Sequence, residues 1–176
     1  MLVSLYRTLT KNANLNRFGP HWETIGFQGH DPATDLRGVG MYGLLQLVHF
    51  VLSPQYGSKA RIVYTLSCDP VQNFPFALIS LNISRMVLQA LRAQTVNRFC
   101  IQTGDMFLAS NLLHVGAFCR FHSIWINETK TIADAGFVMK DIEKEMLTKP
   151  HALLNLQKTT AAANPALTDD LCLTSF

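Results

Sequence analysis

Residues 105–127, DMFLASNLLHVGAFCRFHSIWIN, restrict the fold more than any other stretch. As a helix this segment is apolar around most of its circumference, and such a helix has to be surrounded by other elements. The chain supplies the partners. Residues 74–94 put Ile79, Ile83, Met86, Val87 and Ala90 on one helical face and Arg85, Gln89 and Arg92 on another, with Pro75 in the first turn. Residues 43–52 carry Leu44, Leu45, Leu47, Val48 and Val51 and stop at Ser53-Pro54, because proline disfavours helix in the residue before it. Thr131 with Asp134 can cap a helix that turns Ala135, Val138, Ile142 and Met146 inward, leaves Lys140, Asp141, Lys144 and Glu145 in solvent, and ends at Pro150. Leu2, Leu5, Tyr6 and Leu9 mark a short first helix. Residues 57–68 stay open between strand and helix. With no internal repeat and with helices dominating, the expected fold class is all-α.

At 176 residues there is room for a single compact domain. We expect an N-terminal helix and linker at 1–19, shortened, the domain at 20–157, and a loose tail at 158–176. Hydrophobic residues make up 48% and charged residues only 15%, against about 25% charged in an average domain. Disorder is thereby excluded, and the surface is left unusually apolar, as if a partner covers part of it. The formal charge of +3 is spread along the chain, whereas a nucleic-acid footprint needs a clustered basic face. Cys68, Cys100, Cys119 and Cys172 form no C-x-x-C pair, which favours small buried thiols in a reducing compartment over a disulfide or zinc framework. The apolar runs 42–52 and 106–121 are broken by Gln46, His49, Asn111, His114 and Arg120, short of the roughly 20 residues of a membrane span. Arg7 and Lys11 interrupt any signal-peptide core. The chain thus reads as soluble and cytoplasmic.

No phosphate-binding loop, nucleophile elbow, zinc-protease pair or dinucleotide motif occurs. His114 and His122 lie eight apart on one helix without a paired carboxylate, and packed or surface imidazoles are the economical reading. No metal site is expected. What remains is HWETIGFQGHDPATDLRGVGMYGLLQL at 21–47, where glycine, aromatic and polar residues concentrate ahead of a buried helix. Its first 22 residues read as ordered loop with short helical turns.

This segment resembles the signature of the ELMO (engulfment and cell motility) domain: Trp22, then Ile25-Gly26-Phe27-Gln28, Asp31-Pro32, Thr34-Asp35, Arg37-Gly38 and Gly40, followed by the leucine-rich helix. The resemblance continues through FPFALISLNISRMVLQAL at 74–91 and FCRFHSIWI at 118–126 to Pro150. It implies an all-helical domain acting on small GTPases. In the ELMO-domain-containing branch it implies GTPase activation toward Arf-family and Arf-like proteins, with Arg37 as the catalytic arginine supplied in trans. Such a protein regulates an enzyme without being one, and needs no cofactor because GTP and magnesium belong to the partner. It also allows peripheral membrane proximity through the GTPase. An inserted guanidinium contributes roughly 10³ to 10⁵ in rate by stabilising charge on the transferring phosphoryl group.

Arg37 suits that role only on a pre-positioned loop, and Gly38 and Gly40 let backbone come close to a partner. The alternative is that Arg37 pairs with Asp35, Asp31 or Glu23 and holds the loop together. Asp31 reads as a helix cap, Thr34 and Asp35 as shapers of the loop, and Gln28 as a supporting contact to a switch region. Trp22 and Phe27 read most economically as loop anchors in the core, and would be interface hot spots only if partly exposed. Two further functional readings stand beside the activator: a non-catalytic scaffold in Rac signalling with Dock-type exchange factors, and an inactive shortened form.

Overall fold

The computed structural model describes residues 1–12 and 15–162. In chain order it consists of α1 (Leu2–Thr10), two 3-10 turns (Pro20–Ile25 and Pro32–Gly38), α2 (Gly40–Leu52), α3 (Gly57–Ser67), α4 (Phe76–Arg92), α5 (Asn97–Thr103), α6 (Met106–Asn127), a third 3-10 turn (Ile132–Asp134) running into α7 (Ala135–Thr148), and α8 (Pro150–Ala162). The fold is all-α, with no strand among the described residues.

As its composition requires, α6 is the axis. It buries residues around its whole circumference, from Ala109 to Trp125, and α2, α4, α5, α7 and α8 all pack against it. Asp105 starts it by accepting the N–H groups of Phe107 and Leu108 at 2.8 and 3.0 Å, which satisfies two of the donors a helix start leaves unpaired. Phe118 stacks on Phe50 of α2 at 4.9 Å and lies 5.3 Å from Phe76 of α4, and Trp125 stacks on Phe121 at 4.7 Å. The Trp125 indole N–H donates to the Gln72 carbonyl at 2.8 Å while the Gln72 amide donates back to the Trp125 carbonyl at 2.9 Å, tying the loop before α4 to the end of α6. At Gly116 the α8 backbone comes so close that an added Cβ would strike the Leu153 carbonyl.

Several expectations change in detail. Residues 57–67 are helical, with Ala60, Val63 and Ser67 buried, and Cys68 follows the helix. Pro75 is the extended residue before α4 and not its first turn. Residues 97–103 form a helix with no fully buried residue, so no apolar periodicity announces it. Glu145 leaves the expected solvated face of α7: it accepts both ends of the Arg120 guanidinium fork at 2.8 Å. Of the described cysteines only Cys119 is buried; Cys100 is half-buried, and Cys68, just past the end of α3, is exposed. Cys172 lies outside the described residues. Helix α8 runs on through Ala162, so residues 158–162 are helical, and the rest of the expected tail lies outside the described residues.

Candidate functional site

The segment between α1 and α2 is built by four kinds of tie. Aromatic packing comes first: Trp22 and Phe27 are buried, Trp22 meets Tyr6 of α1 edge-on at 5.6 Å, and its indole N–H donates to the Arg17 carbonyl at 3.0 Å. They are anchors, and an interface role through their side chains would require exposure they do not have.

Glycine geometry comes second. Gly26 has φ +86°, a conformation that costs glycine little, and its backbone lies against the start of α4 so tightly that a Cβ would collide with Phe76 N and the Pro75 carbonyl carbon. Helix α4 has no side-chain cap. The Gly26 carbonyl fills that need by accepting the Leu78 N–H at 3.1 Å. The sequence carried a signal for this in a glycine set between Ile25 and Phe27, yet the partner 50 residues on could not be read from it. The Tyr64 hydroxyl adds a tie from α3, donating to the Thr24 carbonyl at 3.2 Å.

Capping is the third. Asp31 is extended at φ −128°, its carboxylate accepts the Ala33 N–H at 3.0 Å, and Pro32 fills the first position of the turn. The Thr34 hydroxyl donates to the Asp31 carbonyl at 2.8 Å. The fourth is loop closure: the Gly19 N–H donates to the His30 carbonyl at 3.0 Å, and the Gln28 N–H donates to the Asp35 carboxylate at 2.6 Å.

Arg37 sits in the last turn of the second 3-10 element and is exposed, as are Gln28, Thr34 and Gly38. A Cβ at Gly38, Gly29 or Gly40 would meet nothing within 4 Å, so the backbone on this side faces open space. The carboxylates that could have held Arg37 are turned to other donors. Asp31 caps, Asp35 takes a backbone N–H, and Glu23 faces His30 at 3.9 Å. Among the described residues Arg37 makes no ion pair and no hydrogen bond. The expectation that it might serve as the loop's internal tie is therefore not met. No group of three or more His, Cys, Asp or Glu residues able to hold a metal occurs among the described residues.

The ELMO/CED-12 family model matches residues 1–139, a span that includes the entire loop, its Arg37 and the helices that hold it. The chain belongs to the ELMO/CED-12 family. Among curated ELMO proteins, ELMO domain-containing protein 3 of Bos taurus is 39% identical over 163 residues, covering 92% of this chain and 43% of that protein. The Homo sapiens protein of the same name is 36% identical over 155 residues, 88% of this chain and 41% of that protein. ELMO domain-containing protein 2 of Homo sapiens is 35% identical over 97 residues, 54% of this chain and 32% of that protein. This ELMO chain thus spans about two fifths of the length of the first of these relatives. No solved structure matches it significantly.

Outside the loop, two histidines of this ELMO domain are buried in the packing of α6. Burial pushes His114 down to about 3, the ring lying 3.0 Å from the Ser80 hydroxyl with its Nδ1 unpartnered. Burial, helped by Lys59 whose Nζ lies 2.9 Å from Nδ1, pushes His122 down to about 4. Both imidazoles are neutral and packed. Among the described residues no helix is long and apolar enough to cross a membrane.

Proposed function

We propose that this ELMO domain is a GTPase-activating protein for Arf-family or Arf-like small GTPases, with Arg37 as the finger supplied in trans. The observation that carries the reading is an exposed guanidinium without an internal partner, on a loop whose nearby carboxylates are committed elsewhere. An arginine in that state can be surrendered to a phosphate without first breaking an ion pair, and a loop tied to α1, α3 and α4 loses little entropy on docking. The transferring phosphoryl group passes through a transition state with charge on its oxygens, which a planar fork of donors stabilises. GTP and magnesium come with the partner, so the protein needs no cofactor of its own. It works in the cytoplasm, close to whatever membrane its GTPase occupies.

One observation favours a second reading, a non-catalytic binding module of the Rac and Dock scaffold kind. Met41 in α2, Ile101 in α5 and Met106 and Phe107 in the first turn of α6 expose 45–80% of their surface, apolar area of the kind a docking face uses. Trapping separates the two. Arf-like GTPases loaded with GDP and aluminium fluoride, which imitates the transferring phosphoryl group, are expected to bind the wild-type protein far more tightly than the GDP form. Arg37→Ala is expected to remove that difference. Equal binding to all nucleotide states by both proteins would favour the scaffold.

A further inference from the structure

We infer that Asp35 is the positioning residue of the finger, an inference that rests on the activator reading. It lies two positions before Arg37, and in sequence it is the most obvious ion-pair partner for that arginine. In the fold its Oδ2 instead accepts the Gln28 N–H at 2.6 Å, seven residues back along the chain. This bond closes residues 28–35 into a ring. The ring's other features are the Asp31 cap with its carboxylate on the Ala33 N–H, the Thr34 hydroxyl on the Asp31 carbonyl, and Gly29 at φ +78°.

The ring is anchored at its start through residues 26–27 and also rests on the core through Pro32. Gln28 follows Phe27, which is buried, and Gly26, whose carbonyl holds the Leu78 N–H of α4 at 3.1 Å. The 3-10 turn that carries Arg37 packs against α2 and α4, with Leu36 against the core, and a second route runs Leu78, Gly26, Gln28, Asp35, Arg37, in which the Asp35 carboxylate is the one side-chain link. A charge-assisted bond to a backbone N–H is among the stronger hydrogen bonds available to a half-exposed loop. That bond engages Oδ2, and Asp35 makes no ion pair with Arg37, so it fixes where Arg37 emerges without holding the guanidinium. Aspartate is suited to both tasks: a glutamate would move the acceptor by one methylene, and an alanine would release Gln28.

The test uses the full chain and three variants, Arg37→Ala, Asp35→Ala and Asp35→Asn, each checked for an unchanged melting profile. Single-turnover GTP hydrolysis by an Arf-like GTPase is titrated with each protein, which separates the saturating rate from the concentration for half-maximal stimulation. Asp35→Ala is expected to lower the saturating rate by about 10- to 100-fold, the scale on which a displaced catalytic group loses rate, with the half-maximal concentration changed less. Asp35→Asn, whose amide oxygen can still accept the Gln28 N–H, is expected to restore most of it. Hydrogen exchange supplies a readout independent of activity: the Gln28 amide should lose protection in Asp35→Ala and keep it in Asp35→Asn. A wild-type saturating rate in folded Asp35→Ala, or a Gln28 amide as protected there as in wild type, overturns the inference while Arg37→Ala still reports on the finger. If the wild-type protein stimulates no GTPase, the activator reading falls and the positioning role falls with it.

Discussion

At the residue scale, Gly26 and Arg37 stand at opposite ends of one loop and predict opposite phenotypes. A β-carbon at position 26 would meet the Pro75 and Phe76 backbone, in a φ of +86° that other residues adopt at a cost. We expect Gly26→Ala to destabilise the domain by about 2–4 kcal/mol, read as a lowered urea midpoint; a loss within 0.5 kcal/mol would show that α4 gives way freely, on the scale of ordinary surface substitutions. Arg37→Lys should leave that midpoint where it is, since Arg37 has no internal partner to lose. It should nonetheless fail to restore stimulated hydrolysis, an ammonium being unable to reproduce the bidentate fork. The signature's residue types and most of their roles were legible in the sequence, the Asp31 cap and the Trp22 and Phe27 anchors among them, but the elements they dock against were not. Trp22, Gly26 and Phe27 serve the interior while Arg37 faces out, and burial is decided by α1 and α4, far from the motif in sequence.

Helix–helix distance is set by single positions at the element scale, and Gly116 sets the one between α6 and α8. Alanine at a helix interior is worth about 1 kcal/mol over glycine by propensity, yet a Cβ here would strike the Leu153 carbonyl. Gly116→Ala is therefore expected to destabilise, by about 1–3 kcal/mol, as overpacking does. A stabilised variant would mean that α8 can ride outward. Asp105→Ala should cost about 1 kcal/mol through the lost cap of α6, seen in the same denaturation series. Long helices were readable because burial imposes period on them: α2, α4, α6 and α7 each turn a row of large apolar residues inward. Helix α5 buries no residue fully and left no trace in the pattern. Nor could the pairing of Arg120 with Glu145, since it depends on α6 and α7 lying side by side.

For the whole molecule, the buried imidazoles couple stability to pH. His114 and His122 titrate at about 3 and about 4 in the fold, against 6.5 when free, so above pH 7 both are neutral folded or unfolded and contribute nothing. Below 6.5 the unfolded chain takes up protons that the folded one refuses, and each histidine removes about 1.4 kcal/mol per pH unit until its folded value is reached. Urea midpoints should be level from pH 7 to 8 and fall steeply between 6 and 4, less steeply in a folded His122→Gln variant. A level profile through pH 5 would place these rings in water. The same interior holds the loop that carries Arg37 to α1, α3 and α4, and so fixes the point on the surface where this arginine emerges. The most direct test is single-turnover GTP hydrolysis by Arf-family and Arf-like GTPases, with Ras and Rac as controls, in the presence of wild-type protein and of Arg37→Ala. The account predicts stimulation of at least one Arf relative, absent with folded Arg37→Ala; equal stimulation by both proteins, or none by a well-folded wild type across the panel, would contradict it.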